Sequence, residues 1–437
     1  MERFHREKGK VSMSTAAPRT KQIAAAVIGN ALEWYDFVVF GFLTVIISRL
    51  FFPVESEYSS LLLTTATFGV GFFTRPIGGI LIGIYADRRG RKAALQLIIG
   101  MMTLSMAMLA FAPPYAAIGL AAPLIIVLAR LLQGFATGGE FASATSFLVE
   151  SAPLHRRGLY GSLQMVGQSI AALGGAGAGV LVTRGLTPEQ VDSWGWRLPF
   201  IFGLLIGPVG VYIRRHVTET EEFREARQKP QEQPTLGTVL SRHLRGVLVT
   251  FGLVICGTIS YYVILVYMPT FAKTQLNIPL NQGFVAQVIG LVCMTIVIPL
   301  CGAWSDRIGR KPILLGVTVA YLLVLVPFFT WIHANPSFGN LAFMQIILCG
   351  LAGAFSGPIS TAVAEQFPAG VRSTGLALAY NMAVMMFGGF AQFIVTWLLE
   401  TTGSPVAPAY YVMFGAVAGF FAALFLIDRS GELRRPV

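Results

Sequence analysis

Apolar residues run through this 437-residue chain in stretches of about twenty or more, separated by short polar connections rich in Arg, Lys, Gly and Pro. A helix needs ~20 apolar residues to cross the hydrocarbon core of a bilayer. Stretches of that kind fall at 22–50, 61–84, 93–112, 118–150, 158–183, 198–213, 246–272, 284–304, 312–332, 339–364, 373–399 and 408–427. The longest polar interval, 214–245, holds Thr218-Glu-Thr-Glu-Glu222 and Pro230-Gln-Glu-Gln-Pro234 and reads as a short helix followed by a linker. The pattern therefore predicts an all-α integral membrane protein with twelve transmembrane helices in two six-helix bundles. Its parts would be an N-terminal segment (1–21), a first bundle (22–213), the linker (214–245), a second bundle (246–428) and a tail (429–437).

Composition agrees with the pattern. Hydrophobic residues make up 54% of the chain and charged residues 12%, about half the share found in soluble domains. The net charge of +11 raises nucleic-acid binding as an explanation, and the positions of the charges remove it. With both termini cytoplasmic, nearly all Lys and Arg fall on the cytoplasmic side, in 1–21, the 85–92 loop, at Arg156 and Arg157, in the linker, the 307–311 loop, at Arg372 and in the tail. The exceptions are Arg49, Arg184, Arg197 and Lys273 on the outer side and Arg75 and Arg130 inside spans. That asymmetry is the positive-inside rule. Cys256, Cys293, Cys301 and Cys349 all lie within spans at no metal-ligand spacing, so neither disulfide nor metal is expected. Residues 1–21 are basic and polar, and the first apolar stretch is of full span length, so no cleavable signal is expected.

A repeat links the two halves. Gly83-Ile-Tyr-Ala-Asp87-Arg88-Arg-Gly90-Arg91-Lys92 follows span 2, and Gly302-Ala-Trp-Ser-Asp306-Arg307-Ile-Gly309-Arg310-Lys311 follows span 8, at an offset of 219 residues. Duplicated units of this kind build many secondary transporters, with substrate near the midplane between them. A carboxylate at a helix C-terminus has the wrong sign for the helix dipole. Asp87 and Asp306 should therefore meet a neighbouring helix N-terminus or an arginine, contacts that would hold one access state shut. A simple basic topogenic turn is the plainer alternative, weakened by the second copy.

Ionisable groups at bilayer depth are expensive and mark pathways. In span 1, Asn30, Glu33 and Asp36 succeed one another at i, i+3, i+6, with both carboxylates ~15–21 Å into the helix. In span 4, Arg130, Gln133, Thr137 and Glu140 share a face. Arg75 lies ~18 Å along span 2 from Asp87 and precedes Pro76, which frees a backbone carbonyl. A guanidinium facing a cavity suits a carboxylate ligand; neutralising Glu33 or Asp36 is the structural alternative for Arg75. No His lies mid-span, so proton coupling would use carboxylates. Gln164, Gln168, Tyr261, Tyr262, Tyr267, Ser356, Ser360, Thr361, Asn381 and Gln392 are uncharged candidates, each more often an interhelical hydrogen bond than a ligand contact. The Gly174–Gly179 run comes after no strand and carries no Lys-Ser/Thr, so it reads as close helix packing; Trp194 and Trp196 read as interfacial anchors.

The paired loops and Arg130-Leu-Leu-Gln133-Gly134 resemble signatures of the major facilitator superfamily. Several segments resemble its metabolite:proton symporter family: Gly29-Asn-Ala-Leu-Glu-Trp-Tyr-Asp-Phe37, Arg75-Pro-Ile-Gly78, Gly138-Gly-Glu140, Trp194-Gly-Trp-Arg-Leu-Pro-Phe200, Tyr267-Met-Pro-Thr270 and Phe387-Gly-Gly389. That family includes citrate, α-ketoglutarate, shikimate and proline/betaine porters of bacterial inner membranes. Phe51-Phe-Pro-Val-Glu-Ser-Glu57 is most similar to the citrate type, while Gly139-Glu-Phe-Ala-Ser143, Asn381 and Gln392 depart from it.

The resemblance and the residues together imply a monomeric, multi-pass protein of the bacterial inner membrane that imports an organic carboxylate, such as a di- or tricarboxylate, with protons. Asn30, Arg75, Gln164, Gln168, Tyr267 and Asn381 would bind substrate, and Glu33, Asp36, Arg130 and Glu140 would couple the proton. The gates would be Gly83, Asp87, Arg88, Gly90 and Arg91, with Gly302, Asp306, Arg307, Gly309 and Arg310. A proline/betaine-type osmolyte symporter and a carboxylate exchanger are the alternatives. With no HExxH, GxSxG or P-loop, neither enzymatic chemistry nor a cofactor is expected.

Overall fold

The computed structural model describes residues 19–89, 91–138, 140–204 and 236–430. Among them there is no strand, and nine helices are long and apolar enough to cross a membrane, or ten if one bent pair counts as a span. That pair is span 1, Val27–Phe42 followed by Thr44–Phe51, which turns by 61° at Leu43. The Thr44 hydroxyl donates to the Gly41 carbonyl at 2.6 Å and satisfies an acceptor the break would leave open. The expected count of twelve rests further on the shorter apolar helix Gln96–Phe111 and on a helix running through 198–204, whose continuation lies outside the described residues. Linker residues 214–235 also lie there, as does Gly90, while Leu236–Arg242 forms a short helix.

Span 4 also breaks, into Ala121–Ala136 and Glu140–Glu150. Its upper part is pressed against span 2 (Glu57–Arg89) backbone to backbone. A Cβ on Gly134 would overlap the Gly71 carbonyl oxygen, and one on Gly78 would overlap that of Phe135. No side chain fits in either place. This approach carries Arg75, between Gly71 and Gly78 on span 2, up to the span 4 break.

Span 5 (Arg157–Gly185) and span 8 (Leu280–Ile308) run along each other and join the bundles. At one end a Cβ on Gly158 would meet Ser305 and Gly302; midway Ser169 and Thr295 hydroxyls lie 2.7 Å apart; at the other end Gly179 faces the Phe284 ring. The Gly174–Gly179 run thus serves close packing, with Gly175 against Phe42. The bundles also meet where Gly69 faces Phe390 and Gly389 faces Phe72. Among the described residues the bundles therefore touch near both ends of spans 5 and 8. Trp194 is exposed as an anchor would be, but Trp196 is fully buried against Phe51 and Phe200, so its anchoring role is withdrawn: its ring fills the core.

Span 7 passes through a wide π-turn at Tyr261–Val266 and span 11 through another at Val384–Gly388. Such turns add a residue to the helical repeat and rotate the facing of the side chains beyond them.

Candidate functional site

Arg75 is 5% exposed and sits where the two bundles meet. Its Nε donates to the Thr137 hydroxyl at 3.1 Å, and its guanidinium carbon lies over three rings: Phe37 at 4.7 Å, Phe72 at 4.9 Å and Trp34 at 5.6 Å. Cation–π attraction and a desolvated hydroxyl acceptor make the charge tolerable at this depth. Among the described residues no carboxylate lies within ion-pair distance of it.

The second bundle closes over Arg75 with tyrosines. Tyr262 packs on Phe68 and Phe72 with centroids 5.6 and 5.5 Å apart, and Tyr261 packs edge-on against Trp34 at 5.9 Å. Tyr380 lies against Arg75 and stacks on Phe141 at 3.7 Å and 4°, one ring from each bundle. Beside that stack the Asn381 amide donates to the Gly138 carbonyl at 2.8 Å. Tyr261 continues the shell towards span 5, its hydroxyl donating to the Gln168 carbonyl at 3.4 Å. Next along, Gly167 faces the Asn30 amide. A cavity with room for about one water molecule opens beside Tyr261, lined also by Ser260, Tyr321 and Ser356.

Several polar atoms in this shell are buried without a hydrogen-bond partner: both amide atoms of Asn30, Gln168 Nε2, Ser260 Oγ and Tyr262 Oη. Native proteins rarely leave such groups open, and clusters of them point to function. Asn30, Arg75, Gln168 and Asn381 are therefore brought into one region. Two other proposed ligands are not. Gln164 accepts from the Thr145 hydroxyl and donates to the Phe141 carbonyl inside the first bundle, and the Tyr267 hydroxyl accepts from Thr396 inside the second. Both groups are spent on structural bonds.

The stripe on span 4 is a connected seam. Fully buried Arg130 donates to Gln133 Oε1 at 2.5 Å and to the carbonyls of Phe37 and Phe68, each at 3.3 Å. Gln133 in turn donates to the Asp36 carbonyl at 2.8 Å. Phe37 lies between the two guanidinium groups, 4.3 Å from that of Arg130. Asp36 is 6% exposed and points into the first bundle, its Oδ1 facing Gly203 and without a hydrogen-bond partner. Glu33 is half-buried. The Glu140 side chain lies outside the described residues.

At the end carrying the 307–311 loop, Asp306 meets both kinds of partner its position demands. One oxygen accepts from Gly158 N at 2.7 Å and from Arg310 at 3.1 Å; the other accepts from Leu159 N at 3.0 Å. A second-bundle carboxylate thus caps the N-terminus of a first-bundle helix. Arg310 also reaches Glu365 at 3.4 Å, just past span 10 (Phe338–Ala364), and Arg372 reaches Glu150 at 2.5 Å. Burial pushes the Glu365 carboxyl above its usual range, against the pull of Arg310 and Arg157. Asp428 is held below the usual range: burial would raise it, but hydrogen bonds from Lys311 N and Ser430 prevail. The Arg307 side chain is exposed, Gly302 is in contact with Ser162, and Gly309 turns the loop at φ +107°. Of the first copy, Gly83, Asp87, Arg88 and Arg91 lie in helices but their surroundings are outside what the structure describes, and Gly90 lies outside the described residues altogether.

Sequence reasoning passed over Tyr380, Phe141, Glu150 and Glu365. Their partners lie in the other bundle or at a distant loop, and nothing local in the chain marks them.

A sequence profile of the Major Facilitator Superfamily matches residues 37–391. The chain belongs to the major facilitator superfamily. Within this superfamily its relatives place it in the metabolite:proton symporter group. A citrate-proton symporter of Klebsiella pneumoniae is 36% identical over 96% of this chain and 94% of that protein. A proline/betaine transporter of Salmonella typhimurium is 32% identical over 97% and 86%. The crystal structure of a D-xylose-proton symporter matches the superfamily fold seen here with a TM-score of 0.70, over 93% of this chain and 96% of that one, at 19% identity.

Proposed function

We propose that this superfamily member is a secondary transporter that imports an organic carboxylate together with protons, by rocking of bundles 22–213 and 246–428 about the enclosed site. The observation that carries the reading is Arg75, a buried guanidinium at the bundle interface, ringed by aromatic faces and by neutral polar atoms without partners. A carboxylate is the ligand such a group holds best, through paired hydrogen bonds in a dry setting. The names of the 36% identical relatives, citrate-proton symporters, support the same class.

Arg75 would hold the carboxylate, with Asn30, Gln168 and Asn381 around it. Asp36 and Glu33, with Arg130 and Glu140, would carry the proton. Asp306 with Arg310 would close the cytoplasmic end, and the Asp87 loop would act as its counterpart. That end and both termini would face the cytoplasm, an orientation the basic loops favour, and the protein would work in the bacterial inner membrane as a monomer.

A betaine-type osmolyte symporter is the second reading, favoured by one observation. Trp34, Tyr261, Tyr262 and Tyr380 are the faces that hold quaternary ammonium groups elsewhere. Here the cage is filled by the protein's own cation, which would repel another.

Purified protein in proteoliposomes tests the reading, with labelled organic acids and labelled glycine betaine outside and an inwardly directed proton gradient. Accumulation of an acid that collapses when the gradient is removed supports symport. Uptake of betaine alone would replace the substrate class, and acid exchange indifferent to the gradient would replace the coupling.

A further inference from the structure

All charge at membrane depth belongs to one wall of the site. Glu33, Asp36, Arg75, Arg130 and Glu140 lie in the first bundle, whereas the six apolar stretches between 246 and 427 contain no Lys, Arg, His, Asp or Glu. What the second bundle turns towards Arg75 is aromatic and neutral: Tyr262 and Tyr380 beside the guanidinium, Tyr261 on Trp34, and the Ser260 and Asn381 side chains. Arg130 cannot serve as a second cation for a ligand. It is fully buried behind Phe37 with both terminal nitrogens bonded, Nη1 to Gln133 and the Phe37 carbonyl and Nη2 to the Phe68 carbonyl; its Nε has no hydrogen-bond partner but is buried with them.

We infer that the substrate carries a single carboxylate, bound end-on by Arg75, on an uncharged ring or apolar body that bears hydroxyl or carbonyl groups. This narrows the substrate class of the proposed transporter and rests on that reading. A second or third carboxylate would have to lie against tyrosine faces. Each uncompensated charge at this depth costs roughly a hundredfold in equilibrium. Hydroxyls, by contrast, match what is there: Tyr262 Oη, Ser260 Oγ, Gln168 Nε2 and the Asn30 amide are buried, neutral and unpartnered. Ring faces of Trp34, Tyr261 and Tyr262 suit a flat or cyclic body.

The test measures binding of quinate, 4-hydroxybenzoate, succinate, citrate and glycine betaine to the purified full-length protein, by thermal stabilisation in detergent at pH 7.5 and again at pH 5. At least one of the two monocarboxylates should bind about tenfold or more tightly than succinate and citrate at pH 7.5. The gap should narrow at pH 5, where the polyacids carry fewer charges. Citrate or succinate binding as tightly as either monocarboxylate at pH 7.5 overturns the inference while leaving a carboxylate transporter. Betaine binding with no acid bound overturns the carboxylate reading itself, and silence from both monocarboxylates overturns the inference. A variant works in the gaining direction: Asn381→Lys puts a cation on the neutral wall and should raise succinate affinity relative to quinate about fivefold or more. An unchanged ratio in folded Asn381→Lys counts against a charge-set preference.

Discussion

The first bundle holds every Asp, Glu, Lys and Arg that this protein places at membrane depth, while the second offers hydroxyls, amides, thiols and rings there. The difference shows in how each wall is built. Arg130 has three fixed acceptors and three ring faces, and Arg75 has a hydroxyl and three rings, of which Phe37 is shared with Arg130. A buried charge without such a setting is prohibitive, so the elements that carry it must be locked together. A neutral hydroxyl left open costs only about 1–3 kcal/mol, and the second bundle leaves several open. Keeping the charges in one rigid body also means that rocking does not have to break and remake ion pairs at the midplane. Among the described residues the ion pair that joins the bundles, Glu150 with Arg372, lies at the rim.

The largest effect should come from loosening the charged wall. Gly134→Ala drives a methyl group into the Gly71 carbonyl and forces spans 2 and 4 apart. We expect little folded protein, read as loss of the monodisperse peak in size-exclusion chromatography. Gly290→Ala in the second bundle meets the movable Cys349 thiol and nearby parts of Gln345, and should cost far less. Equal tolerance at both sites would remove the contrast.

Next comes chemistry at matched positions across the site. Arg75→Gln removes the carboxylate anchor and should lower kcat/KM for acid uptake about a hundredfold, as expected for a lost charge-assisted pair. Tyr262→Phe, which removes one open hydroxyl opposite, should change it by about threefold or less. Asp36→Asn should abolish accumulation driven by a pH gradient and leave counterflow exchange within about fivefold of the parent. A carboxyl group that takes up and releases a proton at Asp36 changes the charge inside the first bundle by one, and the amide cannot. Unaltered gradient-driven uptake in Asp36→Asn would move the proton path to Glu33.

Helical geometry decides how far these features were legible. Span-length apolar runs and the duplicated loop are local signals, and they located the helices and Asp306. Arg75 stood out because a lone guanidinium in an apolar run has few uses. Direction was harder. Asn30, Glu33 and Asp36 read as one stripe, but steps of three residues turn a helix by ~300° each, so the stripe drifts by ~120° across them. Asn30 consequently faces span 5 and Asp36 faces Gly203 in the core of its own bundle. Gln164 and Gln168 sit one turn apart, yet Thr145 engages the first and not the second. Polar residue type could not distinguish them, because the deciding partner lies on another helix. Tyr380 carried no local mark at all: its ring matters through Phe141, which is 239 positions earlier in the chain.

The smallest expected effect sharpens the contrast at the rim, where the second bundle does carry charge. Glu365 is pushed above its usual range by burial, with Arg310 and Arg157 opposing. A raised carboxyl binds its proton more tightly in the closed, folded protein than when exposed. Its contribution is therefore complete below the ordinary carboxyl range near 4.5 and fades as pH rises through the raised value. Glu365→Gln keeps the neutral shape at every pH. Between pH 4.5 and neutrality the parent should lose about 1–2 °C of melting temperature relative to this variant. Parallel melting curves for parent and Glu365→Gln across that range would mean that Arg310 holds the carboxylate ionised throughout. Titration at the rim would then contribute nothing to closure, and the ion pair to Arg310 would act as a fixed strut beside Asp306.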